Sequence, residues 1–228
     1  MRVHRLITAA LVVLAAPSFL SAQTIPSPYR FIETRREVGA VGGWISPGTG
    51  RFGYGPGPGP VTGVRAGLDF GGPISIEAVL GGIPTTRAIV DPRRVEGNRV
   101  IGETDATLLT LDGRLKLSLT GARTWHGLNP FVAAGAGMAW DLAKGSLLEQ
   151  DLPATDRFDF GTAFVAQLGG GLRWFVTERV VVRGDGLLHL WRLKAPDGFR
   201  DPERGFGSTG EAEWINAGAF TFGVGYRF

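Results

Sequence analysis

Phe220-Thr221-Phe222-Gly223-Val224-Gly225-Tyr226-Arg227-Phe228 closes the chain, and its reading decides the fold. In alternate positions Phe220, Phe222, Val224, Tyr226 and Phe228 are large and apolar, while Thr221, Gly223, Gly225 and Arg227 are small or charged. A period of two marks a β-strand with two unlike faces. By itself the stretch fits the last strand of a soluble β-sandwich as well as a membrane strand, because the signal of a single membrane β-strand is weak.

Working back through the chain, the same alternation recurs seven times. The segments are Glu37–Ile45, Val61–Phe70, Pro73–Gly82, Ala106–Leu119, Pro130–Leu142, Phe160–Phe175 and Arg179–Leu193, with Glu213–Phe228 as the eighth. One face carries Val64, Leu68, Ile74, Ile76, Leu109, Leu111, Leu115, Phe164, Leu168, Leu188 and Leu190, with almost no charge. The other carries Arg65, Asp69, Glu77, Asp112, Arg114, Lys116, Asp141, Arg173, Arg183, Asp185 and Arg227, interspersed with many glycines. Val79, Val181 and Leu187 break the pattern by falling on the charged face.

A solvated outer face has no need of so much glycine, which weakens strands. A narrow barrel lumen does need it, since small residues leave room for a few long charged ones to pair. The charge-poor face suits lipid, where a mid-depth Lys or Arg costs about 2–4 kcal/mol. Only a closed barrel satisfies every backbone group of a β chain in lipid. The expectation is an all-β protein: an eight-stranded antiparallel up-and-down transmembrane β-barrel, its lumen plugged by those paired charges.

The connections agree. Ser46–Pro60, Ile83–Asp105, Ala143–Asp159 and Lys194–Ala212 are long; Gly71–Gly72, Thr120–Asn129 and Val176–Glu178 are shorter. Such alternation matches long external loops and short periplasmic turns, with both chain ends on the periplasmic side.

The N-terminus reads as an export signal: Arg2 and Arg5, an apolar run from Leu6 to Ala16, then Pro17 and the small residues Ser21 and Ala22. This is too short to span a membrane as a helix. The expected division is 1–22 signal peptide, 23–35 periplasmic lead and 36–228 outer-membrane barrel of a diderm bacterium. Loss of Arg2 and Arg5 takes the 24 basic residues to 22, against 21 acidic ones. The mature chain is then nearly neutral and lacks a basic cluster with interleaved aromatics, so no nucleic-acid partner is expected. With no cysteine and 36 glycines, the composition offers no disulfide or thiolate site and favours an all-β, turn-rich fold.

PFVAAGAGMAW (130–140), AQLGGGLRWFVTERVVVRGDG (166–186) and the closing FTFGVGYRF resemble the small eight-stranded outer-membrane barrels, the OmpA/OmpX/OmpW-like group. The resemblance covers about residues 36–228. It implies that Phe220, Phe222, Val224, Tyr226 and Phe228 form the signal read by the barrel-assembly machinery. It also implies periplasmic chaperones during biogenesis, and outer-membrane lipid and lipopolysaccharide as surroundings. Cell-wall anchoring through a following peptidoglycan-binding domain is not supported, since the sequence stops at Phe228.

Chemistry is sparse. Gly169–Gly171 sit within a strand pattern, whereas a phosphate-cradling loop needs a following helix. His126 falls in a turn; His189 shares a face with Asp185, but four residues along a strand separate them by roughly 13 Å. No His–x–Ser arrangement accompanies His189. No catalytic residue, cofactor or metal site is expected. Trp44, Trp140, Trp174, Trp191 and Trp214 lie near segment ends, as interfacial aromatics do. The Gly/Pro-rich stretch Phe52–Gly63 reads as a flexible connector. Among loop charges, Arg93, Arg94, Arg200 and Arg204 are candidates for lipopolysaccharide phosphates, with Asp201 and Glu203 beside them. Two functions follow: a non-enzymatic structural or surface-interaction barrel acting through its long loops, or a narrow channel or carrier for small solutes, hydrophobic ones included.

Overall fold

The computed structural model describes residues 27–143 and 145–228. The export signal expected at 1–22 lies outside the described residues.

Ten strands form one antiparallel sheet: β1 Tyr29–Phe31, β2 Arg36–Pro47, β3 Gly59–Asp69, β4 Ile74–Val90, β5 Val100–Ser118, β6 Arg123–Trp125, β7 Leu128–Asp141, β8 Thr162–Phe175, β9 Val180–Lys194 and β10 Ala212–Arg227. Eight of them close into a barrel in the order β2-β3-β4-β5-β7-β8-β9-β10, and β10 pairs with β2 to complete the ring. The seam is long, running from Ala217 opposite Pro47 to Arg227 opposite Glu37. The closing apolar row, Phe220, Phe222, Val224, Tyr226 and Phe228, stands outward and exposed on this seam.

Strand parity sorts the side chains as the alternation requires. On β5 the even positions Asp112, Lys116 and Ser118 are buried, and the odd positions Leu111, Leu115 and Leu117 are exposed. Outward positions between Thr107 and Leu117 on β5, and between Val180 and Leu190 on β9, carry no charge; each stretch is 11 residues. That is the length a tilted strand needs to cross a bilayer.

Three features depart from the sequence reading. First, β4 and β5 extend well past the expected Gly82 and Ala106, pairing as far as Val90 and Val100, so the loop between them shrinks to nine residues, 91–99. Both faces of this extension are mixed in polarity because it rises beyond the apolar band, which removes the alternation. Second, the segment expected as a lead carries a strand of its own, on which the sequence reading was silent. Tyr29–Phe31 pairs with Arg123–Trp125 in the β5–β7 turn. By Arg36 the chain has reached Phe228 at the seam, exchanging backbone hydrogen bonds with it. The β5–β7 turn and the β10–β2 seam stand four strands apart in a ring of eight, so residues 29–36 cross the mouth as a strap. Third, the long connections do not simply hang outward. The one-turn helix α1 (Leu147–Gln150) and the 3-10 turns Asp197–Phe199 and Pro202–Arg204 belong to a folded lid.

Candidate functional site

The lumen is filled in two layers. The turn half holds the charges, the loop half an apolar cluster.

In the turn half six cations face five carboxylates. Glu77 is the hub. It accepts hydrogen bonds from Arg183 and from Lys116 Nζ (3.0 Å), and Arg114 lies 3.8 Å away. Asp185 accepts from Arg183 Nε at 2.6 Å and Arg65 Nη1 at 3.3 Å. Among the described residues Asp112 has one cation within 4 Å, Arg114 at 3.6 Å. Nearer the mouth, Asp69 accepts from Arg227 Nη2 (2.7 Å) and Arg173 Nη1 (3.5 Å). Arg227 also donates to the strap, through Nε to Thr34 Oγ1 (3.1 Å) and through Nη2 to the Thr34 carbonyl. The guanidinium groups of Arg173 and Arg227 both lie against the ring of Phe175. Such a network holds together because each buried charge has an opposite charge within reach; alone, each would meet a severe desolvation cost.

Three residues correct the expected set. Asp141 is apart from this network: it stands at the loop end of β7, where its carboxylate accepts from the backbone N–H of Thr107 (3.0 Å) and Ala143 (2.9 Å). Glu37, absent from the expected set, lies 3.9 Å from both Arg173 and Arg227. Its signal was available, since it shares parity with the inward Ile45 on β2. Asn129 is a second omission. It is fully buried and its Oδ1 accepts from Arg173 Nε (3.0 Å) and Nη2 (2.7 Å). The glycines on this face permit close strand approach: a Cβ on Gly169 would sit 2.2 Å from the Gly186 carbonyl oxygen of β9.

The loop half is capped by aromatics. Ile45, Ile83, Leu108, Val165, Trp191, Leu193 and Ile215 from the strands meet Tyr54, Phe158, Phe160, Phe199 and Phe206 from the loops in one buried cluster. Tyr54 stacks on Phe158 with ring centroids 4.7 Å apart; Phe52 lies 4.7 Å from Phe199. The Gly/Pro-rich stretch is therefore no loose connector: Phe52 and Tyr54 are pulled inward by burial. Trp191 is likewise inside, 1 % exposed, and is not an interfacial aromatic. Its odd position on β9, shared with Arg183 and Asp185, dictates this. Trp44, Trp174 and Trp214 are about half exposed and point outward near strand ends, and Trp140 is partly exposed.

Polar contacts stitch the lid together. Tyr54 donates its hydroxyl to Glu213 (2.8 Å), and burial, aided by that carboxylate, raises the phenol above its ordinary pKa. Asp156, buried, joins two loops by accepting from Arg204 Nη1 (2.7 Å), with Arg93 Nε at 3.8 Å. Asp91 is held below the ordinary carboxylate range, chiefly by hydrogen bonds from Arg93. Arg87 reaches Glu149 of α1 at 2.8 Å.

His189 lies on the lumen-facing parity of β9, and Asp185, four residues away, is occupied by Arg183 and Arg65. His126 sits in the β6–β7 turn at φ 49°. Among the described residues no group of three or more His, Cys, Asp or Glu is placed to hold a metal ion.

No family model matches this sequence, and no curated protein matches it. Solved structures do. Neisserial surface protein A is similar over 89 % of this chain and 98 % of its own, at 13 % identity and a TM-score of 0.51. The outer membrane protein OprG from Pseudomonas aeruginosa is similar over 86 % of this chain and 97 % of its own, at 12 % identity and a TM-score of 0.53. The chain thus has the fold of the small eight-stranded outer-membrane β-barrels.

Proposed function

We propose that this chain is an occluded, non-enzymatic barrel of the outer membrane of a diderm bacterium, exported with a cleaved signal peptide, whose role is structural or surface-interacting through its loop end. The observation that carries this reading is the double closure of the lumen. A paired ionic layer fills one half and a packed aromatic lid covers the other. An eight-stranded barrel is wide enough only for side chains or one small ligand, and here side chains take the space. The charge-free outer band of 11 residues supplies the lipid-facing surface. In this reading the exposed closing row from Phe220 to Phe228 addresses the chain to the barrel-assembly machinery, with periplasmic chaperones escorting it. Outer-membrane lipid and lipopolysaccharide surround the band.

The absence of cysteine makes a direct test available. Val95→Cys places a thiol on an exposed loop, and Glu178→Cys places one on an exposed turn at the opposite end. A membrane-impermeant maleimide added to intact cells is expected to label the first and spare the second until the outer membrane is opened. Equal labelling of both, or recovery of the protein in the soluble periplasmic fraction, would contradict the proposed placement.

A further inference from the structure

The loop arginines differ in one respect. Arg93, Arg94, Arg200 and Arg204 each lie within 4 Å of a carboxylate: Asp91 or Asp156, Asp91, Asp197 or Glu211, and Asp156 or Asp201 respectively. These are the residues whose charge made them candidates for phosphate, and their charge is already answered within the lid. The guanidinium groups of Arg51 and Arg99 have no carboxylate within that distance among the described residues, although the Arg51 backbone N–H donates to Glu213 Oε2 (2.9 Å), and both arginines line the same cleft.

The cleft has a volume of about 490 Å³ and opens between the first, second and fourth loops. Its walls are built rather than incidental. The Arg51 guanidinium lies 5.1 Å from the Phe52 ring centroid, and that of Arg99 lies 4.5 Å from the Phe206 centroid. Arg51 Nη2 donates to the Phe206 carbonyl at 2.9 Å, and Arg99 Nε donates to the Arg94 carbonyl at 3.2 Å. A guanidinium stacked on a ring and tethered at one edge keeps its planar fork in place, which lowers the entropy lost on binding an oxyanion. Gly97 and Gly205, both at positive φ, leave open space where side chains would otherwise stand. Glu96, exposed on the same cleft, is an acceptor suited to sugar hydroxyls.

We propose that the Arg51–Arg99 cleft binds an anionic saccharide, a sugar bearing a phosphate or sulfate ester. The two arginines hold the ester oxygens, and Glu96 accepts hydroxyl hydrogens and disfavours a bare, unhydroxylated anion. This inference rests on the surface-interaction reading and names its partner class. Two sources share the chemistry: the phosphorylated sugars of lipopolysaccharide in the same membrane, and sulfated glycans outside the cell.

The test uses the full chain folded in phosphatidylcholine nanodiscs. Probes are soluble dextran sulfate, neutral dextran, and lipopolysaccharide micelles with and without their phosphates. The expected result is salt-sensitive binding of dextran sulfate or phosphorylated lipopolysaccharide, little binding of the uncharged counterparts, and a loss of about tenfold in Arg99→Gln, as expected for one charge-assisted contact. Arg99 is chosen because Arg51 also holds the Phe206 and Ser208 carbonyls. Arg200→Gln, which removes an already paired charge, is expected to bind as the parent does. Preference for phosphorylated lipopolysaccharide identifies the membrane source, and preference for dextran sulfate the external one. No binding to either anion, or equal loss in Arg99→Gln and Arg200→Gln, would overturn the site. Such a failure with Val95→Cys still labelled on intact cells removes the cleft and leaves the surface role standing; failed labelling removes the surface role itself.

Discussion

Glu77→Ala is expected to cost the folded barrel about 3–5 kcal/mol, the loss typical of breaking a buried ion pair from one side. Glu77 is 4 % exposed and accepts from Arg183 and Lys116, with Arg114 close by. Its removal leaves Lys116 without a hydrogen-bonded carboxylate among the described residues, while Arg183 falls back on Asp185 alone. Glu77→Gln keeps the volume and removes the charge, so it separates electrostatics from packing; it is expected to recover little. The network also ranks its arginines. Arg183→Ala strips a hydrogen-bonded partner from both Glu77 and Asp185, whereas Arg114 contacts its carboxylates only at 3.6 and 3.8 Å. Arg183→Ala is therefore expected to destabilise clearly more than Arg114→Ala. Urea unfolding of the detergent-folded protein, followed by heat-modifiable gel mobility, gives all four values. Unchanged midpoints in Glu77→Ala and Arg183→Ala would mean these side chains do not face one another across the lumen.

Trp191→Ala carries the second large effect, also about 3–5 kcal/mol, through the cavity it opens beneath the lid. The indole is almost fully buried, its ring centroid 6.2 Å from that of Phe160 in an edge-on arrangement. Trp214→Ala is the matched control. Trp214 is 56 % exposed and stands on the outer face, so its removal in detergent is expected to change stability by well under half as much. Tryptophan fluorescence adds a second readout, since a buried indole emits to the blue of one in contact with water. Equal destabilisation by the two substitutions would place Trp191 outside, as a belt residue.

The contrast between these tryptophans shows how far the sequence could be read. Which face a strand residue occupies was legible, because parity is a property of the backbone: Asp112, Arg114 and Lys116 alternate with Leu111, Leu115 and Leu117 whatever their neighbours do. Trp191 was misread by giving residue type precedence over parity. Val79, Val181 and Leu187 looked like errors in the pattern, yet all three are buried within the lumen. An inward face tolerates both charge and hydrocarbon, so polarity alone could not define it. The lid was not legible, because its contacts join Tyr54, Phe158, Phe199 and Phe206 from three separate loops, and no local period records such a meeting. One clue did exist: loops meant only for solvent have little use for so many phenylalanines. The strap was hidden for the same reason, since Thr34 meets Arg227 across 193 residues of sequence.

Double closure of the lumen is the central claim, and single-channel recording from the folded protein in a planar bilayer tests it most directly. With folding verified by heat-modifiable mobility, the ionic layer around Glu77 and the aromatic lid around Trp191 predict traces indistinguishable from a protein-free control. Reproducible conductance steps would contradict the account and show that the lumen passes ions despite both layers.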